Sequence, residues 1–225
     1  MDRDDPAYAG QRDYGPMLLR LYDPIVVAHV SRIVWRTPPG SLTDRFRERV
    51  RPNHLDVGPG TGYFLDKSGL PDGSEITILD PNPNVLKHVS KRLADRFKVT
   101  AVEADVLKPL PVTGPFDSAA LHLVIHCLPG PLERKQLAVN NVAAVLAPDG
   151  VFFGASVLGI PGPHTRLARG VLKVFNKQGG FDNLGDTEEA LRTMLGTAFE
   201  QVTFETMGSV AVFAAMGPKV PPATA

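Results

Sequence analysis

Hydrophobic and polar positions along this chain fall into blocks whose period changes from one element to the next. Short apolar runs that close on an acid, a glycine or a turn recur at His54 to Val57, Ile76 to Asp80, Val99 to Asp105 and Phe116 to Leu121. Runs of this length without strict alternation read as strands buried on both faces, the habit of a parallel sheet. Helical patterns alternate with them through Ala147, as a doubly wound α/β sheet requires. Ahead of the first strand, apolar residues keep helical spacing from Gly15 to Trp35: Leu18, Leu21, Tyr22, Ile25, Val26, His29, Val30, Ile33 and Val34. Asp23-Pro24 interrupts them as an N-cap followed by proline, so two short helices are expected. Ser41 is expected to cap a further helix, with Asp44 completing a capping-box-like pair.

Beyond the fifth strand, within residues 146–159, the pattern changes. Residues 160–183 are rich in glycine and proline and read as an insertion carrying a helix around Leu167 to Phe175. Asp186-Thr187 then caps a helix. Strands from Gln201 to Met207 and Val210 to Met216 follow, joined by a Gly-Ser turn as a hairpin.

The most distinctive stretch is LDVGPGTG, Leu55 to Gly62. A buried strand carrying Asp56 runs into Gly58, Gly60 and Gly62, a loop without Cβ atoms that can take positive φ and let a ligand lie against bare backbone. The dinucleotide fingerprint would need its third glycine at position 63, where Tyr63 stands. That spacing argues against a nicotinamide-dependent oxidoreductase. Further strand ends follow: Asp80, then Pro81 and Asn82, eighteen residues after Gly62; Asp105 with Val106; and LHLVIHCLPG, Leu121 to Gly130. In open α/β sheets, ligands bind beyond the carboxyl ends of the strands. Taken singly, an Asp after a strand reads equally well as a turn former or helix cap.

Together these segments resemble the class I S-adenosylmethionine (SAM)-dependent methyltransferases, from about Asn53 to Gly217. A looser likeness, carried by Tyr22-Asp23, Trp35-Arg36 and His126 to Gly130, is to the small methyltransferases of bacterial and fungal secondary metabolism. The resemblance implies a seven-stranded, mostly parallel, Rossmann-like sheet in a single domain. Its parts would be a helical cap (1–52), a SAM-binding core (53–159), a substrate-side insertion (160–185) and a closing helix and hairpin (186–217). It implies that Asp56 and the three glycines border the methionine end of SAM. Asp80, with Pro81 and Asn82, would take the ribose hydroxyls, and Asp105 and the Val106 N–H the adenine. Leu121, His122 and Tyr22 would complete the cofactor site, which after transfer holds S-adenosylhomocysteine.

Composition narrows the partners. At 225 residues and 43% hydrophobic, the chain suits one sizeable core. Lys plus Arg and Asp plus Glu both number 24, and the cluster Arg45, Arg47, Arg49 and Arg51 surrounds Glu48. A solvated helix face explains that cluster better than a nucleic-acid grip. Cys127 is the only cysteine, which excludes an internal disulfide and is expected to be a small core residue. No apolar run approaches a membrane span. The expectation is a reduced, cytoplasmic enzyme, monomer or homodimer, acting on a small molecule.

The chemistry then centres on His126, just past the fourth strand. A neutral imidazole there reads either as the base for an acceptor proton or as a support that hydrogen-bonds backbone. Tyr14, His164, Phe175, Asn176 and Phe181 are candidates for the acceptor pocket. His122 and His126 form His-x-x-x-His, but helical phase does not run across a strand end, so no metal is expected. The leading expectation is metal-independent transfer to oxygen. Transfer to N, S or C remains open, as do a macromolecular acceptor and a SAM-binding protein without transfer activity. The fourth segment lacks an Asn/Asp-Pro-Pro-aromatic motif, which counts against exocyclic or amide nitrogen.

Overall fold

The computed structural model describes residues 32–219, so most of the stretch from Gly15 to Trp35 in which two short helices are expected lies outside the described residues. The elements run α1 (Pro39–Arg47), β1 (Asn53–Val57), α2 (Tyr63–Asp66), β2 (Glu75–Asp80), α3 (Pro83–Leu93), β3 (Lys98–Glu103) and β4 (Phe116–His122). A turn of 3₁₀ helix (Ile125–Cys127) precedes α4 (Leu132–Ala143), β5 (Leu146–Val157), α5 (Arg166–Lys177), α6 (Glu188–Ala198), β6 (Phe199–Met207) and β7 (Val210–Pro218). The seven strands form one sheet in the order β3-β2-β1-β4-β5-β7-β6. The first five are parallel, and β7 returns antiparallel to β5 and β6. This is the Rossmann-like architecture expected. Helix α1 departs from expectation: it begins at Pro39 after Pro38, and Ser41 lies inside it rather than capping it. Proline suits the first turn because its missing N–H would have no helical partner there.

Strand alternation divides the core into two layers. Leu55, Val57, Leu79, Leu121 and Phe152 face α4 and α6, meeting Val139, Val142, Leu191 and Leu195. Ile76, Ile78, Ala120 and Phe153 face the other way, against Phe46 of α1, Leu65 of α2 and Val85 and Val89 of α3. Toward β7 that second layer continues as Ala155, Val157, Val210 and Val212 against Ala168 and Leu172 of α5. The tip of the β6–β7 hairpin holds the chain entering α1: Ser209 N–H donates to the Trp35 carbonyl (2.8 Å), and Thr37 Oγ1 donates to the Met207 carbonyl (2.6 Å). Val210 pairs with Val157. The hairpin tip therefore brings Trp35 to the edge where the parallel strands end.

A buried ion pair ties the insertion to the core. Lys135 of α4 is 0% exposed, and its Nζ donates to Asp186 Oδ2 (2.7 Å) and to the Asp182 carbonyl (2.5 Å). Burial raises the pKa of Asp186, with Lys135 opposing. Removing one member would strand the other's charge, so the pair holds its three segments in one arrangement.

Two histidines lie in the second layer among phenylalanines. His54 meets Ser118 Oγ through Nδ1 (2.8 Å) and packs between Phe46 and Phe153. His122 has Phe64 edge-on at 4.3 Å and Phe46 at 5.5 Å, with both ring nitrogens buried and unpartnered. Burial pushes both rings down to about 3, helped at His122 by the charge of Arg49. The unfolded chain takes up protons below about 6.5 that the folded core refuses. The stability these groups contribute is thus complete above that pH and lost as the pH falls toward 3. Urea unfolding at pH 7, 5.5 and 4 should show a steep decline, partly flattened in His122→Phe. A level profile would contradict the neutral buried rings.

Candidate active site

Strand β1 pairs with β2 on one side and β4 on the other, and the chain leaves these strands in opposite directions. A crevice opens at the carboxyl ends there. Gly58, Gly60 and Gly62 line it with φ of +67°, +57° and +75°, the left-handed region that favours glycine. Their reasons differ. A Cβ at Gly58 would lie 2.7 Å from Val124 Cγ2, and one at Gly62 would lie 3.0 Å from Val89 Cγ1, whereas one at Gly60 would meet nothing within 4 Å. The outer glycines accommodate protein packing; the middle one faces open space. Arg92 of α3 braces the loop from behind, donating to the Thr61 carbonyl (3.0 Å) and to Asp66 Oδ2 (3.3 Å).

The acids follow along the crevice. Asp56 is buried, and desolvation, with the nearby Asp80 charge, pushes its carboxyl up to about 8. Burial pushes Asp80 up to about 6, against the Asn82 N–H that donates to its Oδ1 (2.8 Å). Asn82 in turn caps α3 through Oδ1 to Asn84 N–H (2.9 Å), with Pro81 inside the same turn. Asp105 accepts from Leu107 N–H (3.0 Å). Both strand-end acids are therefore turn formers through one oxygen, which leaves the other for a ligand. Asn141 of α4 donates to the carbonyls of Val106 (2.9 Å) and Lys108 (2.8 Å), holding that loop. The Val106 side chain is core, so only its backbone can serve a ligand.

The far side of the crevice is aromatic. Phe181 stacks on Phe175 (4.9 Å) and on Trp35 (6.2 Å), and His126 meets Phe181 edge-on at 4.4 Å. Asp182 N–H donates to the His126 carbonyl (2.9 Å), tying the insertion to the segment after β4. Asn183 bonds Asn176 reciprocally and donates to the Val157 carbonyl (2.8 Å). His164 precedes α5, with Nε2 2.7 Å from the Gly159 carbonyl.

Several expectations change here. The Val157 N–H donates to His126 Nδ1 (3.3 Å), and the ring is pushed down to about 3 by burial and by Lys135. In the neutral ring the proton then sits on Nε2, and the Nδ1 lone pair is engaged by the backbone, the supporting role weighed for this residue. Leu121 is sealed in the layer facing α4, so its side chain does not reach a cofactor. Cys127 is exposed, not packed in the core. The rings of His122 and His126 lie against different aromatic partners, Phe64 and Phe181. Among the described residues no three of His, Cys, Asp or Glu converge as a metal site would require. Tyr14 and Tyr22 lie outside the described residues. The parts not anticipated are Arg92, Asn141, Lys135, Asn183 and the stacking of Trp35. Each acts on a partner far away in the chain, and only Trp35 belongs to a motif visible in the sequence, the Trp35-Arg36 pair.

Known proteins share these features. A family model described as a methyltransferase domain matches residues 55–152. The chain is 35% identical over 214 residues to demethylluteothin O-methyltransferase of Streptomyces thioluteus, covering 94% of this chain and 93% of that one. It is 36% identical over 219 residues to the physcion biosynthesis cluster O-methyltransferase of Aspergillus chevalieri, covering 96% and 98%. Among solved structures, the N-methyltransferase NodS of Bradyrhizobium japonicum WM9 in complex with S-adenosylhomocysteine superposes with a TM-score of 0.58 at 17% identity, over 80% of this chain and 85% of that one. The chain belongs to the SAM-dependent methyltransferases. Its own residues fit that donor: open backbone at Gly60, with the buried Asp56 and the half-buried Asp80 at the ends of the two adjoining strands.

The unequal glycines can be tested. Gly60→Ala should weaken S-adenosylhomocysteine binding at least tenfold by calorimetry. Its unfolding free energy should fall only by the left-handed strain, about 1–2 kcal/mol. Gly58→Ala, which must also displace Val124, should lose more stability. Unaltered affinity in Gly60→Ala would mean that the open space holds no ligand.

Proposed function

We propose that this enzyme transfers the methyl group of SAM to an oxygen of a small, flat organic acceptor, without a metal. The observation that carries the reading is the division of one crevice into two halves. On the β1–β2 side lie open glycine backbone and carboxylates suited to a polar, cationic donor. On the β4–β5 side lie stacked rings from Trp35, Phe175 and Phe181 with His126 at their edge. Aromatic faces favour planar apolar groups, and two relatives matching over nine-tenths of both chains carry O-methyltransferase names.

SAM supplies an electrophilic methyl carbon on a sulfonium. The protein's work is positioning: a nucleophile held about 3 Å from that carbon, in line, with water excluded. In this reading Asp80 takes the ribose diol with the oxygen that Asn82 leaves free. Asp105 and the Val106 N–H read the adenine, and Asp56 faces the methionine ammonium, whose charge would return that carboxyl to its ionised form. His122 lies beneath the methionine end as packing. His126 offers Nε2–H to the acceptor oxygen and orients it, while Phe175 and Phe181 cover the acceptor's faces. In this reading the described residues act as one domain, with 32–52 and 160–185 flanking the acceptor and 53–159 carrying the donor. Among the described residues no helix is long and apolar enough to cross a membrane. We place the enzyme in the cytoplasm as a monomer or homodimer, without a nucleic-acid partner.

The ribose assignment predicts that Asp80→Ala lowers SAM affinity at least tenfold, because a charge-assisted hydrogen bond contributes about 1.5–3 kcal/mol. Asp80→Asn keeps an acceptor for Asn82 and serves if the alanine variant misfolds. Unchanged calorimetric affinity in both would remove Asp80 from the site. Transfer should also survive EDTA; loss of activity restored by magnesium or zinc would overturn the metal-independent mechanism.

A further inference from the structure

Helix α5 leaves part of its apolar side uncovered. Ala168 and Leu172, one turn apart, face the sheet and are sealed. Leu167 and Val174 lie two turns apart and so share a stripe along the helix flank, where they stand 54% and 52% exposed. Half-buried Val171 lies between them, and Phe175 joins the flank to the ring stack with Phe181. Arg166, Arg169, Lys173 and Lys177 form a second, exposed stripe on the outer side. None of the four has an ion pair with an acid among the described residues. Gly170 lies between the two stripes, and a Cβ there would meet nothing within 4 Å. The outer face of the helix is open.

The charge on this helix is local. Cations and acids balance over the whole chain, yet residues 150–181 contain no Asp or Glu. Arg166 and Arg169 stand at the start of the helix, where its dipole disfavours cations, and no acid in the first turn offsets them. Helix α6, by contrast, opens on Glu188 and Glu189. Solvation accounts for the cations but not for Leu167 and Val174, and packing within the protein accounts for neither. We propose that α5 is a docking helix for an anionic lipid surface, which holds the protein at a membrane reversibly without crossing it. An apolar stripe bordered by cations suits that surface: the apolar side chains enter the acyl boundary while the long basic side chains reach the headgroups. A nucleic acid would satisfy the cations and leave Leu167 and Val174 in water. A second copy of this face would bring two stripes of like charge together. Attachment to the inner leaflet agrees with the cytoplasmic placement above.

The experiment sediments the whole protein with vesicles of phosphatidylcholine alone and of phosphatidylcholine mixed with phosphatidylglycerol. Binding should be roughly tenfold or more tighter to the anionic vesicles and should weaken as salt is added. Leu167→Ser with Val174→Ser keeps every charge. That variant should lose roughly tenfold in vesicle binding while its melting temperature and S-adenosylhomocysteine affinity stay the same, because both side chains are already exposed. Lys173→Glu with Lys177→Glu should lose binding as well. A direct readout uses Val174→Cys in a Cys127→Ser background: a thiol reagent should label it quickly in free protein, and anionic vesicles should protect it. No preference for anionic vesicles, or undiminished binding in the serine variant, would overturn the proposal. Slow labelling of Val174→Cys without vesicles would overturn it too, since the flank would already be covered. Light scattering then tells the cover apart: a doubled mass means a second copy, and a monomer means another part of the same chain.

Discussion

Parallel pairing of β1 with two neighbours is the constraint from which the rest follows. A strand hydrogen-bonded on both sides to parallel partners cannot be left by a tight turn; each connection must cross a face of the sheet and return. Connections that leave toward opposite faces part company at the carboxyl ends of β1 and β4, and the gap between them is not filled by backbone. The glycine loop, the strand-end acids and the segment after β4 all sit where that geometry leaves room. The antiparallel β7 turns the same edge to further use. Its hairpin tip projects there and fixes Trp35, which supplies one ring of the aromatic wall.

Polarity is distributed across this edge by burial as much as by residue type. Asp56 and Asp80 have their carboxyl pKa values raised in the ligand-free protein, so a cationic ligand is drawn to groups that water does not stabilise well. The imidazoles of His122 and His126 are kept neutral. In the proposed reading, a positively charged donor restores the ionised form of Asp56 on one side and meets uncharged aromatic surface on the other. The same contrast orients it. The buried Lys135–Asp186 pair holds the second half in register, because Asp182 is bonded at once to Lys135 through its carbonyl and to His126 through its N–H.

Much of this was legible in the chain. Apolar runs closing on Asp56, Asp80 and Asp105 located the strands and the crevice, because a buried parallel strand and its exposed end differ sharply in polarity over one or two residues. The GxGxG spacing separated this loop from a dinucleotide site because Tyr63 replaces the glycine such a site needs. The turn-forming reading of the acids is realised at Asp80 and Asp105, each with one oxygen. What could not be read was direction. Leu121 lies within a residue of the crevice, yet alternation turns it into the layer under α4. The use of His126 depends on which nitrogen meets a backbone N–H thirty-one residues later, and no local pattern encodes a tautomer. Ser41 failed as a cap because Pro38-Pro39 starts the helix three residues earlier.

Arg92 has a consequence of a different kind. It stands on α3, outside the crevice, yet its guanidinium holds the carbonyl of Thr61 and so shares in the shape of the glycine loop, the proposed seat of the donor. Changes on this outer helix can alter how tightly the loop is held without adding or removing a contact to the donor. Affinity can then drift or be selected while the lining of the site stays the same. Two members of such a family with identical crevices need not bind their common donor equally. The difference would lie in a helix that a comparison of site residues passes over.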